Sequence, residues 1–336
     1  MTAERPPTTG RRVLVVAGAS LVLAAAGLLF ALLCGATAID PREVLTFRAD
    51  AVAVRKVFGF RLPRALVAEI VGAALATAGL VFQALIRNPL ASPYVLGVSA
   101  GGSLGAVAAL SLGWAFPGPA AFAGCVLAIA VVYAVARSGG RFPATTLLLS
   151  GVVVNAFFSA AIMFVNLVAA PRDQDRILRW LVGGLRDFYD GADLAGAAVA
   201  TLLATVVLFR YARELNLLSL SDGAAERAGV AVPRVRRTLF LVASLLTATA
   251  VTVSGPIGFV GLIVPHVARL VVGPDHRVLV PCCAFLGAGF LAAVDATAQA
   301  AWTTPLPAGV VTAFLGGPLF LVLLKRRDRA RAGLDG

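Results

Sequence analysis

From Asn88 to Ala136 the chain carries no Asp, Glu, Lys or Arg. So long an uncharged stretch has nothing with which to face water, and Gly113-Trp114-Ala115-Phe116-Pro117-Gly118-Pro119 divides it into two apolar segments joined by a tight turn. The rest of the chain repeats the pattern. A soluble domain dresses its surface with about a quarter charged residues; here 14% are charged and 59% are hydrophobic. That balance excludes an ordinary soluble enzyme, a disordered segment and a disulfide scaffold.

Each crossing of a bilayer takes roughly 20 apolar residues. Val13 to Ile39 is uncharged, and the next run, from Arg64 to Arg87, is interrupted only by Glu69. After the two segments within 88–136 come Phe142 to Pro171, Leu194 to Phe209, and Thr238 to Ala268 with a break at Ser254-Gly255-Pro256. Val278 to Val294 and Ala296 to Leu324 complete the set, the last reset by Pro305 and Pro307. The expectation is an all-α polytopic membrane protein of about ten helices, one domain over 1–336. Residues 1–12 and 325–336 read as tails, and 211–237 as the longest loop on their side.

Of the 29 Lys and Arg, 27 are Arg, and the net charge is +12. In a polytopic protein such an excess speaks to topology. With both ends inside, 19 basic residues fall on the cytoplasmic side and ten outside, so the sequence predicts a multi-pass cytoplasmic membrane protein with both termini cytoplasmic. No soluble basic domain suggests nucleic acid. Outer basic residues alternate with Asp40, Glu43, Asp50, Asp173, Asp175, Asp187, Asp190 and Asp193, giving loops of mixed sign suited to contact. Arg11-Arg12 before an apolar run, with Ala36-Thr37-Ala38 after it, imitates a cleavable signal, but the run is too long for one.

Several patterns invite catalysis and are better read as packing. Gly97-Val98-Ser99-Ala100-Gly101 matches a hydrolase nucleophile elbow, which needs a strand, a turn and a His base. With Gly105 the same residues place one small residue per helical turn, letting helices approach closely. No Gly-Lys-Ser/Thr phosphate loop exists, so ATP is not bound by that route. Cys34, Cys125, Cys282 and Cys283 lie in or beside apolar runs, and His266 and His276 are the only histidines. Neither a metal site nor a cofactor is expected.

Two carboxylates fall inside apolar runs, Glu69 and Asp295. An intramembrane charge costs about 2.5 to 3.5 kcal/mol on insertion scales, so each is a candidate for ion coupling, as in a secondary transporter, or for a structural ion pair. Glu69 is near enough in sequence to pair with Arg64 or Arg61. Arg61-Leu62-Pro63-Arg64 opens its helix with two cations at the positive end of the helix dipole, which calls for an acidic aqueous partner or for lipid phosphates. In the long loop, Ser221 or Asp222 can cap a short helix and Gly229 can end it, giving two short helices on the cytoplasmic face. Finally, Phe82-Gln83-Ala84-Leu85-Ile86 with Pro89 echoes Phe259-Val260-Gly261-Leu262-Ile263 with Pro265, a faint sign of an inverted repeat.

Taken in order, these motifs resemble the FecCD family, the permease subunits of ABC importers for iron-siderophores, haem and vitamin B12. The resemblance covers Arg61 to Leu324. It is carried by 61–64, Gln83, Arg87-Asn88-Pro89-Leu90-Ala91, Leu96-Gly97-Val98-Ser99, Leu217-Leu218-Ser219-Leu220, the run from Ser254 through Gly255, Pro256, Gly258 and Pro265 to His266, Asp275-His276-Arg277, 307–310 and 316–320. It implies a ten-span permease paired with a second copy or a similar permease, over two cytoplasmic ATPase subunits. Cargo, a ferric siderophore first and cobalamin or haem next, would arrive on an extracytoplasmic binding protein. Arg61 and Arg64 would then receive acidic residues of that protein. Leu217, Leu218, Ser219, Leu220, Asp222, Ala225 and Gly229 would belong to the element seated on the ATPase. Relatives often carry Asp-x-x-x-Arg where this chain has Asp295-Ala296-Thr297-Ala298-Gln299, so Gln299 keeps hydrogen bonding without the charge.

Overall fold

The computed structural model describes residues 10–35, 57–137, 142–186, 189–301 and 305–332, with side chains as far as 321. Thirteen α-helices account for most of them: α1 Gly10–Leu33, α2 Leu62–Ile86, α3 Val98–Ser111, α4 Gly118–Ala136, α5 Ala144–Val168, α6 Pro171–Val182, α7 Gly191–Arg210, α8 Ala212–Leu220, α9 Asp222–Arg227, α10 Val232–Ser254, α11 Val260–Val272, α12 His276–Ala300 and α13 Ala308–Ala332. A π turn, Val57–Arg61, leads into α2, and a 3-10 turn, Pro93–Leu96, leads into α3. No strand occurs among the described residues.

Seven helices are long and apolar enough to cross a bilayer, and α3, α11 and the apolar part of α13, Ala308–Leu321, are shorter apolar helices. Together they equal in number the ten crossings the charge pattern predicts. At 1.5 Å per residue α11 covers about 20 Å, short of the roughly 30 Å hydrocarbon core. The irregular Gly255-Pro256-Ile257-Gly258-Phe259 segment precedes it. Tyr94 donates to its Ile257 carbonyl, and Gly184 N–H donates to the carbonyl of Ser254 just before it, so these groups are met inside the protein.

The helix order places α2 at the centre: 78% of its apolar window is buried, against 17% in α1. Lipid tails are as apolar as Leu, so burying Leu75, Leu80 and Phe82 does not by itself draw helices together; close backbone approach does. A Cβ on Gly72 would overlap the Gly287 carbonyl, one on Gly79 the Gly261 carbonyl, and one on Gly27 the Gly289 carbonyl. These contacts lock α2 to α12, α2 to α11 and α1 to α12. Within 97–105, Gly101 lies on Gly124 and Gly105 on Ala120 of α4.

The structure differs from the sequence expectation in four places. Asp295 does not divide two spans: α12 runs through it to Ala300, because an ion-paired carboxylate leaves the backbone ladder intact, and α13 begins at Ala308. Helix α10 starts at Val232 rather than near Thr238, taking Arg236 into the buried interior. The mixed-sign segment after Pro171 is a helix, α6, with Ile177 buried and Arg172, Asp175 and Arg179 exposed. Of the two readings open for Glu69, ion coupling or a structural pair with Arg64 or Arg61, the pair is not formed, and its Oε1 has no hydrogen-bond partner. Five residues along a helix is about 140° of rotation from Arg64, which instead meets α12. Residues 1–9 of the first tail, the outer acids Asp40, Glu43, Asp50 and Asp187, and the side chains of the tail from 325 lie outside what the structure describes.

Candidate functional site

The bundle has two ends, and the polar side chains gather there. Helices α8 and α9 lie at the near end, where α1 starts and α2 finishes; α6 and the start of α2 lie at the far end.

At the near end α9 follows α8 directly. Ser221 accepts from Ala224 N–H at 3.0 Å and caps α9, while Gly229 takes φ 80° just past its end, as the sequence predicts. Leu218 and Ala225 are buried, Leu217 is half-buried, and Ser219 and Leu220 face outward, Leu220 being 72% exposed. The element therefore has two faces, one fixed to the bundle and one presented away from it. Asp222, the first residue of α9, is held by Arg236 of α10 and lies 3.5 Å from Arg87, the left-handed residue that ends α2. Arg236 also donates to the Phe142 carbonyl at 2.9 Å.

Beside this cluster, Asn216 of α8 grips the start of α12. Its Nδ2 donates to Asp275 Oδ1 at 2.8 Å, and its Oδ1 accepts from His276 N–H at 2.9 Å. The same Oδ1 lies 2.7 Å from His276 Nδ1, so Nδ1 carries the ring proton in this arrangement. Deeper in, Arg269 of α11 donates to Gln83 Oε1 at 2.9 Å, and Gln83 Nε2 donates to the Gly261 carbonyl at 3.3 Å. The two segments that echo each other in sequence thus meet at Gln83 and Gly261.

At the far end Arg61 donates to the Leu32 and Leu33 carbonyls, at 2.9 and 3.2 Å, closing the C-terminus of α1. Arg64 forms a two-pronged pair with Asp295, Nε to Oδ2 at 2.8 Å and Nη2 to Oδ1 at 3.0 Å, with both side chains largely buried. Gln299 lies one turn beyond Asp295, half-buried. Tyr189 donates to the Val253 carbonyl at 3.1 Å and accepts from Arg186 N–H, and burial pushes its phenol above the ordinary range, so it stays a neutral donor. Gly255 takes φ 65° and faces the Trp180 carbonyl of α6; Pro256 abuts Gly183, Gly258 has open space beside it, and Pro265 is buried within α11.

The intramembrane candidates separate here. Asp295 is committed to Arg64, whereas Glu69 is half-buried on α2. Ser99 is buried in α3, in a helix rather than at a strand-to-helix elbow. No group of three or more His, Cys, Asp or Glu able to hold a metal occurs among the described residues. Sequence reasoning did not single out Asn216, Arg236 or Arg269 as functional residues: their partners lie 14 to 186 positions away, beyond a helical turn, and no local spacing announces such pairs.

A ten-crossing helical bundle, discontinuous at α10–α11 and ordered by ion pairs at its two ends, is the architecture of a transport permease. The chain belongs to the FecCD transport family, which matches residues 21–326. It is 46% identical to the cobalamin import system permease protein BtuC of Halobacterium salinarum, over 80% of this chain and 73% of that one. It is 38% identical to an iron chelatin transport system permease protein of Helicobacter pylori, over 79% and 81%. A solved inward-facing metal-chelate type ABC transporter superposes with a TM-score of 0.81 at 29% identity, covering 93% of this chain and 99% of that one. The chain is a multi-pass permease subunit of an ABC importer and is not itself catalytic.

Proposed function

We propose that this permease imports a metal held in a large organic chelate, a ferric siderophore in the first reading and a corrinoid in the second. Its likeness to chelate importers carries the proposal: the iron chelatin permease supports the first reading and the 46% identical cobalamin permease the second. The near end faces the cytoplasm, in keeping with the 19-to-10 distribution of basic residues. There α8 and α9 seat on a pair of ATPase subunits. The far end receives a cargo-loaded binding protein at Arg61, Arg64 and Gln299, and a second permease copy completes the path. Hydrolysis drives the ATPase pair, the α8–α9 element moves, and the two permeases alternate access.

Radiolabelled uptake in a deletion strain and its complemented partner tests the cargo. Ferric-siderophore uptake that disappears on deletion, returns on complementation and collapses with ATP supports the first reading. Loss of cobalamin uptake alone moves the cargo to the corrinoid. Retention of both would overturn the chelate proposal.

The two faces of α8 sharpen the test of ATPase seating. Leu220→Glu changes a side chain that points away from the bundle, so the permease should remain folded while the ATPase subunits no longer co-purify. Leu218→Glu places a charge in the buried face and should instead deplete folded permease. ATPase still retained by the Leu220 variant would remove α8 from the interface.

A further inference from the structure

Helix α12 joins the two polar ends of the molecule, and a polar side-chain cluster holds each of its tips. At the near tip Asn216 of α8 holds both Asp275, which caps α12 by accepting from Arg277 N–H at 2.9 Å, and His276. At the far tip Arg64 of α2 holds Asp295 through two parallel bonds. Nineteen residues separate His276 from Asp295, about 28 Å of helix. Between the tips α12 cannot slide independently, because Gly287 lies against Gly72 of α2 and Gly289 against Leu23 and Ala24 of α1, with no room for a Cβ. Helices α1, α2 and α12 therefore move as one body. A displacement of α8 reaches that body through its buried Leu215 and Leu218, through the Asp222–Arg87 pair, and at the near tip of α12 through the Asn216 side-chain amide.

From this we infer that Asn216 is the positioning residue through which the α8–α9 element and the far-end arginines sense each other. The inference rests on the proposed seating of α8–α9 on the ATPase and of the binding protein at the far end. Asn216 suits the role by its chemistry. Its carbonyl oxygen faces two N–H donors and its NH2 faces a carboxylate, so a flipped amide would set donor against donor and acceptor against acceptor. One orientation is imposed, and the link transmits both push and pull. The Asp222 cluster with Arg87 and Arg236 anchors α9 to α2 and α10 by charge. The Asn216 amide is the hydrogen-bonded connection of α8 to the tip of α12.

The test uses the complete assembly of permease pair, ATPase pair and binding protein in proteoliposomes. It reads the ratio of ATP hydrolysis with loaded binding protein to hydrolysis without it, together with ATPase co-purification and thermal stability. Asn216→Ala should cut that ratio by about fivefold or more, the scale of an ordinary coupling between sites, while ATPase subunits still co-purify. Asn216→Asp sets two carboxylates against each other and should behave likewise. Asn216→Asp combined with Asp275→Asn restores a donor opposite an acceptor, keeps an N-cap residue at 275, and should recover the ratio. That recovery separates positioning from mere stability. A ratio within twofold of the unaltered protein in Asn216→Ala would overturn the inference, as would a double variant that refolds without regaining stimulation. If the unaltered permease itself fails to bind ATPase or to respond to binding protein, the proposed function falls, and the inference falls with it for that separate reason.

Discussion

Gly79→Leu should leave no folded permease in the membrane, and even Gly79→Ala should be severely destabilised. The cause is local and steric. On the Gly79 backbone a Cβ overlaps the Gly261 carbonyl of α11 and the Gly261 carbonyl carbon and Cα behind it. All of these are backbone atoms, so no side chain can rotate out of the way. Helices α2 and α11 would have to part, stretching the Gln83–Gly261 bond one turn away and with it the Arg269–Gln83 pair. Overpacking a tight core costs typically 1–3 kcal/mol and sometimes more, and an intramembrane guanidinium left without its partner adds to that. Gly196→Ala on α7 is the matching control, since nothing lies within 4 Å of the position. It should be neutral or slightly stabilising, an exposed helical Gly costing about 1 kcal/mol relative to Ala. Detergent-extracted yield and thermal unfolding of the variants check both arms. Normal yield for Gly79→Leu would mean that α2 and α11 are not held backbone to backbone.

Much of the architecture was readable because lipid penalises charge so heavily that the chain's own punctuation marks its crossings. Val13 to Ile39 and 88–136 needed no propensity argument to be placed in a membrane. The α8–α9 pair was readable for a different reason. Ser221 and Gly229 act on their own backbone, and a cap is a local interaction that sequence spacing can reveal. Asp295 misled for the same reason that the other charges informed: a carboxylate in an apolar run looks like a boundary until its partner, 231 positions away, is known. Helix α6 was hidden by its composition, since a short helix lying over the far end can present charges outward while burying only Ile177 and Asp173. Candidate-site residues were legible where they form motifs in the family resemblance, such as 61–64 and 217–220. What those motifs did not disclose is their commitment within the chain. Arg61 caps α1 and Arg64 grips α12, so any docking surface at this end is built on residues that also hold the bundle together.

That double commitment makes Asp295 the position with the second largest expected effect. Asp295→Ala should destabilise the permease by about 2 kcal/mol or more, the scale of hydrogen bonds to charged groups, because it removes two such bonds between Arg64 and α12. Arg64 and Asp295 are 13% and 5% exposed, so solvent offers little replacement for the lost bonds. Replacing both with apolar residues of similar volume, Arg64→Met with Asp295→Leu, should return most of the lost stability, because the desolvation cost disappears with the charges. The double variant then separates two roles that the single variants confuse. A stable double variant that binds loaded binding protein more weakly, with reduced sensitivity to salt, assigns Arg64 to docking as well as to packing. A stable double variant with undiminished affinity leaves docking to Arg61 and its neighbours and makes the Arg64–Asp295 pair purely internal. Exchanging the charges, Arg64→Asp with Asp295→Arg, tests the geometry. Recovery of thermal stability would show that the pair, rather than either residue's contact with lipid, sets the register of α2 against α12. That register fixes where the near tip of α12 meets Asn216, so a permease that folds with the exchanged pair should also retain its response to binding protein.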